Sequence, residues 1–114
     1  MEKSPIIPTK ETYDEATVKA GDSVETRAVQ ILSIIDNPSN EVIDYLKNQP
    51  GKVRATVVRV EKKTDTKKFE RDVEGDKYIE NVTFDSVTVE IEGLSTELPI
   101  KINATIFETL AKKH

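Results

Sequence analysis

Apolar and polar positions change their spacing repeatedly along this chain, and each change marks an element. Through residues 1–20 no period is sustained: Pro5 and Pro8 precede the polar run Lys10-Glu11-Thr12-Tyr13-Asp14-Glu15, with Ile6 and Ile7 the only adjacent apolar pair. That pattern predicts an extended or partly disordered N-terminal arm. Gly21-Asp22 reads as a turn, and 21–114 as one α+β domain. Residues 23–35 fit two periods. As a strand, Val24, Thr26, Ala28, Leu32 and Ile34 share a face that Gln30 interrupts; as a helix, Val24, Ala28, Ile31 and Ile35 form a stripe. The β-branched content favours the strand, while Asp22 and Glu25 offer a capping pair for the helix.

Residues 38–48 read as a helix, with Asn37 as N-cap, Pro38 at the first position and Val42, Ile43 and Leu46 on one side. Pro50 and Gly51 end it. From Lys52 the period is two. Val53, Ala55 and Val57 alternate with Arg54, Thr56 and Val58, and Phe69, Arg71 and Val73 alternate with Lys68, Glu70 and Asp72. Between them Lys63–Lys67 reads as a polar turn, so 52–73 is expected to be a hairpin with a basic tip. Glu74–Lys77 is the next turn. Tyr78, Val82 and Phe84 then share one parity, and Val87, Val89 and Ile91 the other. A strand changes parity only at a bulge or break, which places a kink at Asp85-Ser86. After a turn at Gly93–Thr96, Leu98, Ile100 and Ile102 alternate again, with Pro99 marking an edge strand or a strand start. Thr105 and Glu108 have the spacing of a capping box for a last helix carrying Ile106, Phe107 and Leu110, with Lys112 and Lys113 at its negative end.

Short turns between successive strands imply mainly antiparallel pairing. The expected fold is α+β: a curved antiparallel sheet or small barrel of about five strands, one helix after the first strand and one at the C-terminus. An OB-type barrel is not matched, because its helix falls between the third and fourth strands.

Composition narrows the chemistry. The 114 residues suit one domain and include no cysteine, so no disulfide, thiolate zinc site or thiol nucleophile. No window approaches a membrane-spanning length of about 20 apolar residues, and Met1–Pro5 lacks the features of a signal peptide. A cytoplasmic location is therefore expected. The one histidine is His114, a position unsuited to a catalytic base or a metal site. Gly51-Lys52 lacks the rest of a phosphate loop, since Leu46 and Val53 occupy its other required positions. Asp72, Glu74 and Asp76 fail the calcium-loop pattern at Lys77 and Thr83 and read as a solvated acidic turn. Asn81-Val82-Thr83 and Asn103-Ala104-Thr105 match the glycosylation pattern by chance. No catalytic residue, metal or cofactor is assigned, and the chain is not expected to be an enzyme.

Charge supplies the one functional signal. Residues 52–71 hold eight basic and three acidic side chains, +5, within a chain of net charge −4. Arg59, Lys62, Lys63, Lys67, Lys68 and Arg71 are the candidate phosphate contacts, with Phe69 and Tyr78 as stacking rings. The leading expectation is a non-enzymatic accessory protein that binds single- or double-stranded nucleic acid weakly or non-specifically through this hairpin. The bland reading is that lysines guard a sheet edge. The alternative function is a protein-interaction or self-assembling module using the N-terminal arm and an edge strand near Pro99–Asn103.

Overall fold

The computed structural model describes residues 7–95 and 99–112. The expectations for Ile6, Leu98, Lys113 and His114 lie outside the described residues. Among these residues six strands and three helices follow in the order β1 (Thr9–Asp14), β2 (Ser23–Arg27), α1 (Ala28–Ile34), β3 (Ile35–Asp36), α2 (Asn40–Lys47), β4 (Lys52–Val73), β5 (Asp76–Ile91), β6 (Ile100–Asn103) and α3 (Ala104–Lys112). The sheet runs β2-β4-β5-β6-β3, all antiparallel, and β1 adds to β5 in parallel. The fold is thus α+β with a mostly antiparallel sheet. It is not closed into a barrel, and it has one strand and one helix more than the pattern suggested.

Both periods in residues 23–35 are real, one after the other. Val24 and Thr26 are buried by alternation in β2; Ala28 and Ile31 are buried at helical spacing in α1. The chain switches at Arg27, whose backbone is still extended. Helix α2 starts two residues later than expected, with Ser39 as its N-cap accepting from the Val42 N–H at 3.3 Å. Asn37 instead takes a left-handed backbone, φ 48°. Helix α3 is capped by Asn103, whose Oδ1 accepts from the N–H groups of Thr105 (2.9 Å) and Ile106 (3.2 Å). The expected Thr105–Glu108 box does not form, because both side chains bond elsewhere: the Thr105 hydroxyl donates to Asp14 and Glu108 accepts from the Thr17 and Val18 N–H groups.

The largest correction concerns the hairpin. Lys63–Lys67 is no turn: β4 passes straight through it as a strand of 22 residues. The reversal comes at Glu74-Gly75, between the paired Val73 and Asp76. Both turn residues have positive φ, 53° and 84°, which is the two-residue hairpin turn that matches strand twist. The parity change in β5 is likewise absorbed without a break. Strand β5 is continuous, and its partner takes up the irregularity: register shifts fall between Val57 and Arg59 and between Glu61 and Asp65. Lys63, at φ 51°, sits in the second bulge.

The long β4–β5 pair divides the molecule into a body and a ribbon. In the body, Val53, Ala55 and Val57 of β4 join Val87, Val89 and Ile91 of β5, Ile102 of β6 and Phe107 of α3 in one buried cluster with Ile31 and Leu46. Beyond the bulge the ribbon consists, among the described residues, of β4, β5 and β1, and it projects from the body. The molecule measures 64 × 27 × 25 Å with a radius of gyration of 17.7 Å, against about 13 Å for a compact chain of this length.

Candidate functional site

All eight residues singled out in the sequence lie on the β4–β5 pair, but not at its tip. Arg59, Lys62, Lys63, Lys67, Lys68 and Arg71 are spread along β4, and Tyr78 stands opposite Arg71 on β5. The tip itself is acidic, with Asp72, Glu74 and Asp76 around the turn. Between residues 65 and 80 there are six acidic and four basic side chains. The expected basic tip is therefore a basic edge strand ending in an acidic turn.

Three of the six cations are matched to carboxylates. Arg59 pairs with Glu61 at 3.1 Å, Lys62 with Asp85 at 3.5 Å and Glu15 at 3.9 Å, and Arg71 with Glu80 at 3.0 Å. These partners respond. Glu61 is held below the usual carboxylate range, chiefly by the hydrogen bond from Arg59. Glu80 is lowered by the Thr12 hydroxyl and then by Arg71. Among the described residues Lys63, Lys67 and Lys68 form no ion pair. Two of these three cover rings instead: Lys63 lies 5.1 Å from the centre of Tyr13, and Lys67 lies 5.9 Å from that of Phe84. Phe69 is half-buried beneath the Arg71 guanidinium, 4.8 Å away. Phe69, Arg71 and Tyr78 share one face of the ribbon with Lys67 and Val82, as their register requires. Arg59 belongs to a different setting, an open groove of about 880 Å³ on the body sheet, lined also by Arg54, Val58, Thr88 and Glu90.

One residue not singled out organises the junction of ribbon and body. Asp85 is fully buried, and its carboxylate meets β1, the loop that follows it and β4. Oδ1 accepts from the Tyr13 hydroxyl at 2.7 Å and from the Lys63 N–H at 2.8 Å; Oδ2 accepts from the Ala16 N–H at 2.8 Å. Burial alone would raise its pKa, yet these three bonds and the Lys62 charge together hold it below the ordinary aspartate value. The Tyr13 hydroxyl, donating to that carboxylate, is pushed up to about 12. The bulge residue Lys63 is thus fixed by its own N–H. Asp85 shares parity with Val87, Val89 and Ile91, so its burial was readable in the pattern even though its role was not.

The edges of the sheet also differ from expectation. Strand β6 starts directly after Pro99 but lies between β5 and β3, and the two residues of β3 cover its Lys101 and Ile102. Residues 9–14 of the N-terminal arm are already paired, as β1, to β5. The long open edge is β4 beyond Val57: β2 covers only Lys52–Thr56, and among the described residues no strand lies outside Asp65–Val73.

No group of histidine, cysteine, aspartate or glutamate side chains among the described residues is arranged to hold a metal. No described helix is long and apolar enough to cross a membrane. No protein-family model, curated protein or solved structure matches this chain.

Proposed function

We propose that the chain is a non-enzymatic, self-assembling structural module that makes its contacts through the edge of the projecting ribbon. The observation that carries this reading is the outer edge of β4 over Asp65–Val73, which no strand among the described residues covers, at the end of a molecule far longer than its core requires. An edge strand leaves a row of main-chain donors and acceptors unpaired, ready to accept another strand. The ribbon also exposes apolar surface, including Val73 at 54%. A second reading, nucleic-acid binding along the same edge, is favoured by Lys63, Lys67 and Lys68, which lack ion partners among the described residues. It ranks lower because the acid-rich segment from Asp65 to Glu80 opposes a phosphate chain.

Lys68→Pro separates these readings. The Lys68 N–H faces away from β5, so proline removes no internal hydrogen bond but blocks a strand from adding to the edge. Sedimentation of the wild-type chain should show association that this variant loses while its melting temperature holds. A chain that stays monomeric at its highest attainable concentration, yet binds labelled oligonucleotides with a steep salt dependence, would replace the first reading with the second.

A further inference from the structure

Resting on that self-assembly reading, we infer that the partner strand is β4 of a second copy, paired antiparallel about a two-fold axis at Thr66. The hairpin turn fixes which main-chain groups are free. Val73 and Asp76 flank a two-residue turn, so they exchange both of their main-chain bonds. Going back along β4 in steps of two, Arg71, Phe69, Lys67 and Asp65 also point their N–H and C=O groups at β5. Asp72, Glu70, Lys68 and Thr66 point theirs outward. The register is unbroken over Asp65–Val73, so the alternation holds throughout. The Thr66 side chain agrees: its hydroxyl is 3.1 Å from that of Thr83, as in the closely spaced cross-strand pairs that share no main-chain bond.

A two-fold axis on an edge strand puts some residue opposite itself, and the residues on either side then oppose one another in order. Charge decides among the choices. Centring on Asp65, Lys67, Lys68, Glu70 or Arg71 sets that charge against its own copy. Centring on Phe69 sets Lys67 against Arg71. Only Thr66, of the centres from Asp65 to Arg71, brings no like charges face to face. It sets Asp65 against Lys67, an opposite-charge pair that occurs twice by symmetry. Opposite-charge cross-strand pairs favour pairing and like pairs oppose it. The lysines that would deter a foreign strand therefore select one register of self-pairing. The left-handed bulge at Lys63 limits the regular ladder to Thr64–Lys68 of each copy, so the dimer is a weak, concentration-dependent one.

The chain has no cysteine, which makes cross-linking direct. In the full-length protein Thr66→Cys places two thiols across the axis. The Cα atoms of a hydrogen-bonded opposed pair are about 5.5 Å apart, within disulfide reach. Mild oxidation should give a covalent dimer from Thr66→Cys and little from Glu70→Cys. By sedimentation, Asp65→Lys or Lys67→Asp alone should weaken association at least about tenfold, and the two reversals in one chain should restore it. Association that persists while the Thr66→Cys variant fails to cross-link, or without rescue in the double reversal, overturns this register while leaving self-assembly standing. Absence of any association overturns both.

Discussion

At the scale of single residues, the side chain with most at stake is Asp85. A carboxylate with no exposed surface is tolerated only where hydrogen bonds replace its water, and here the Tyr13 hydroxyl and the N–H groups of Ala16 and Lys63 do so. In Asp85→Asn the amide keeps one acceptor and turns an NH₂ toward groups that donate. The expected loss is about 3 kcal/mol, read by chemical denaturation. The pH dependence follows from the lowered pKa. The native state binds the proton less readily than the unfolded chain, so Asp85 contributes its full stabilisation above the unfolded aspartate value of about 3.9. That contribution falls as pH drops through the lower, native value. The melting temperature of the wild type should therefore decline in strong acid more than that of Asp85→Asn. A parallel decline of the two would remove this role. The position was legible as a parity change at Asp85-Ser86. The bonds were not, because Tyr13 and Ala16 reach Asp85 across 72 and 69 residues of sequence, and local spacing carries no record of so distant a partner.

At the scale of elements, the lesson of β4 is that turn composition and turn geometry are separable. Lys63-Thr64-Asp65-Thr66-Lys67 is polar enough for a turn but contains no glycine, while Glu74-Gly75 can supply two positive φ angles, one of them without a Cβ clash. The polar run instead accommodates extra residues opposite a buried carboxylate. Residues 23–35 teach the same thing in another way: strand and helix periods were both present, and the element boundary lay inside the ambiguous window at Arg27. The candidate cations do lie on β4, but their pairing to Glu15, Glu61, Glu80 and Asp85 depends on register, which the hairpin reading misplaced. The turn gives a direct check. Glu74 has a left-handed backbone, φ 53°, and asparagine accepts that conformation more readily. Glu74→Asn should raise stability by about 0.5 kcal/mol in denaturant titrations, and should leave association unchanged if Thr66 is the centre, since Glu74 lies beyond the ladder.

At the scale of the whole molecule, the body and the ribbon obey different rules. The body has a buried cluster drawn from β2, β4, β5, β6 and all three helices, so it is the part whose class the alternating pattern could reveal. The ribbon has few buried side chains, Val82 among them, and depends on cross-strand pairs and on β1. Its projection could not be read from spacing, because alternation looks the same whether or not helices cover the sheet. That projection sets the shape of an assembled pair. Antiparallel strands joined at Thr66 run in opposite directions, so the two bodies must lie at opposite ends of a shared ribbon. The middle of the body segment of β4, near Ala55, is eleven residues from Thr66. At about 3.3 Å per residue the two bodies are separated by about 70 Å. Small-angle scattering at rising concentration should then develop a second maximum in the distance distribution near that spacing, and a maximum dimension well beyond the 64 Å of one chain. Pairing through the edge of β2 would instead bring the bodies together and thicken the particle without lengthening it. The position of the second maximum therefore distinguishes joining at the ribbon from joining at the body.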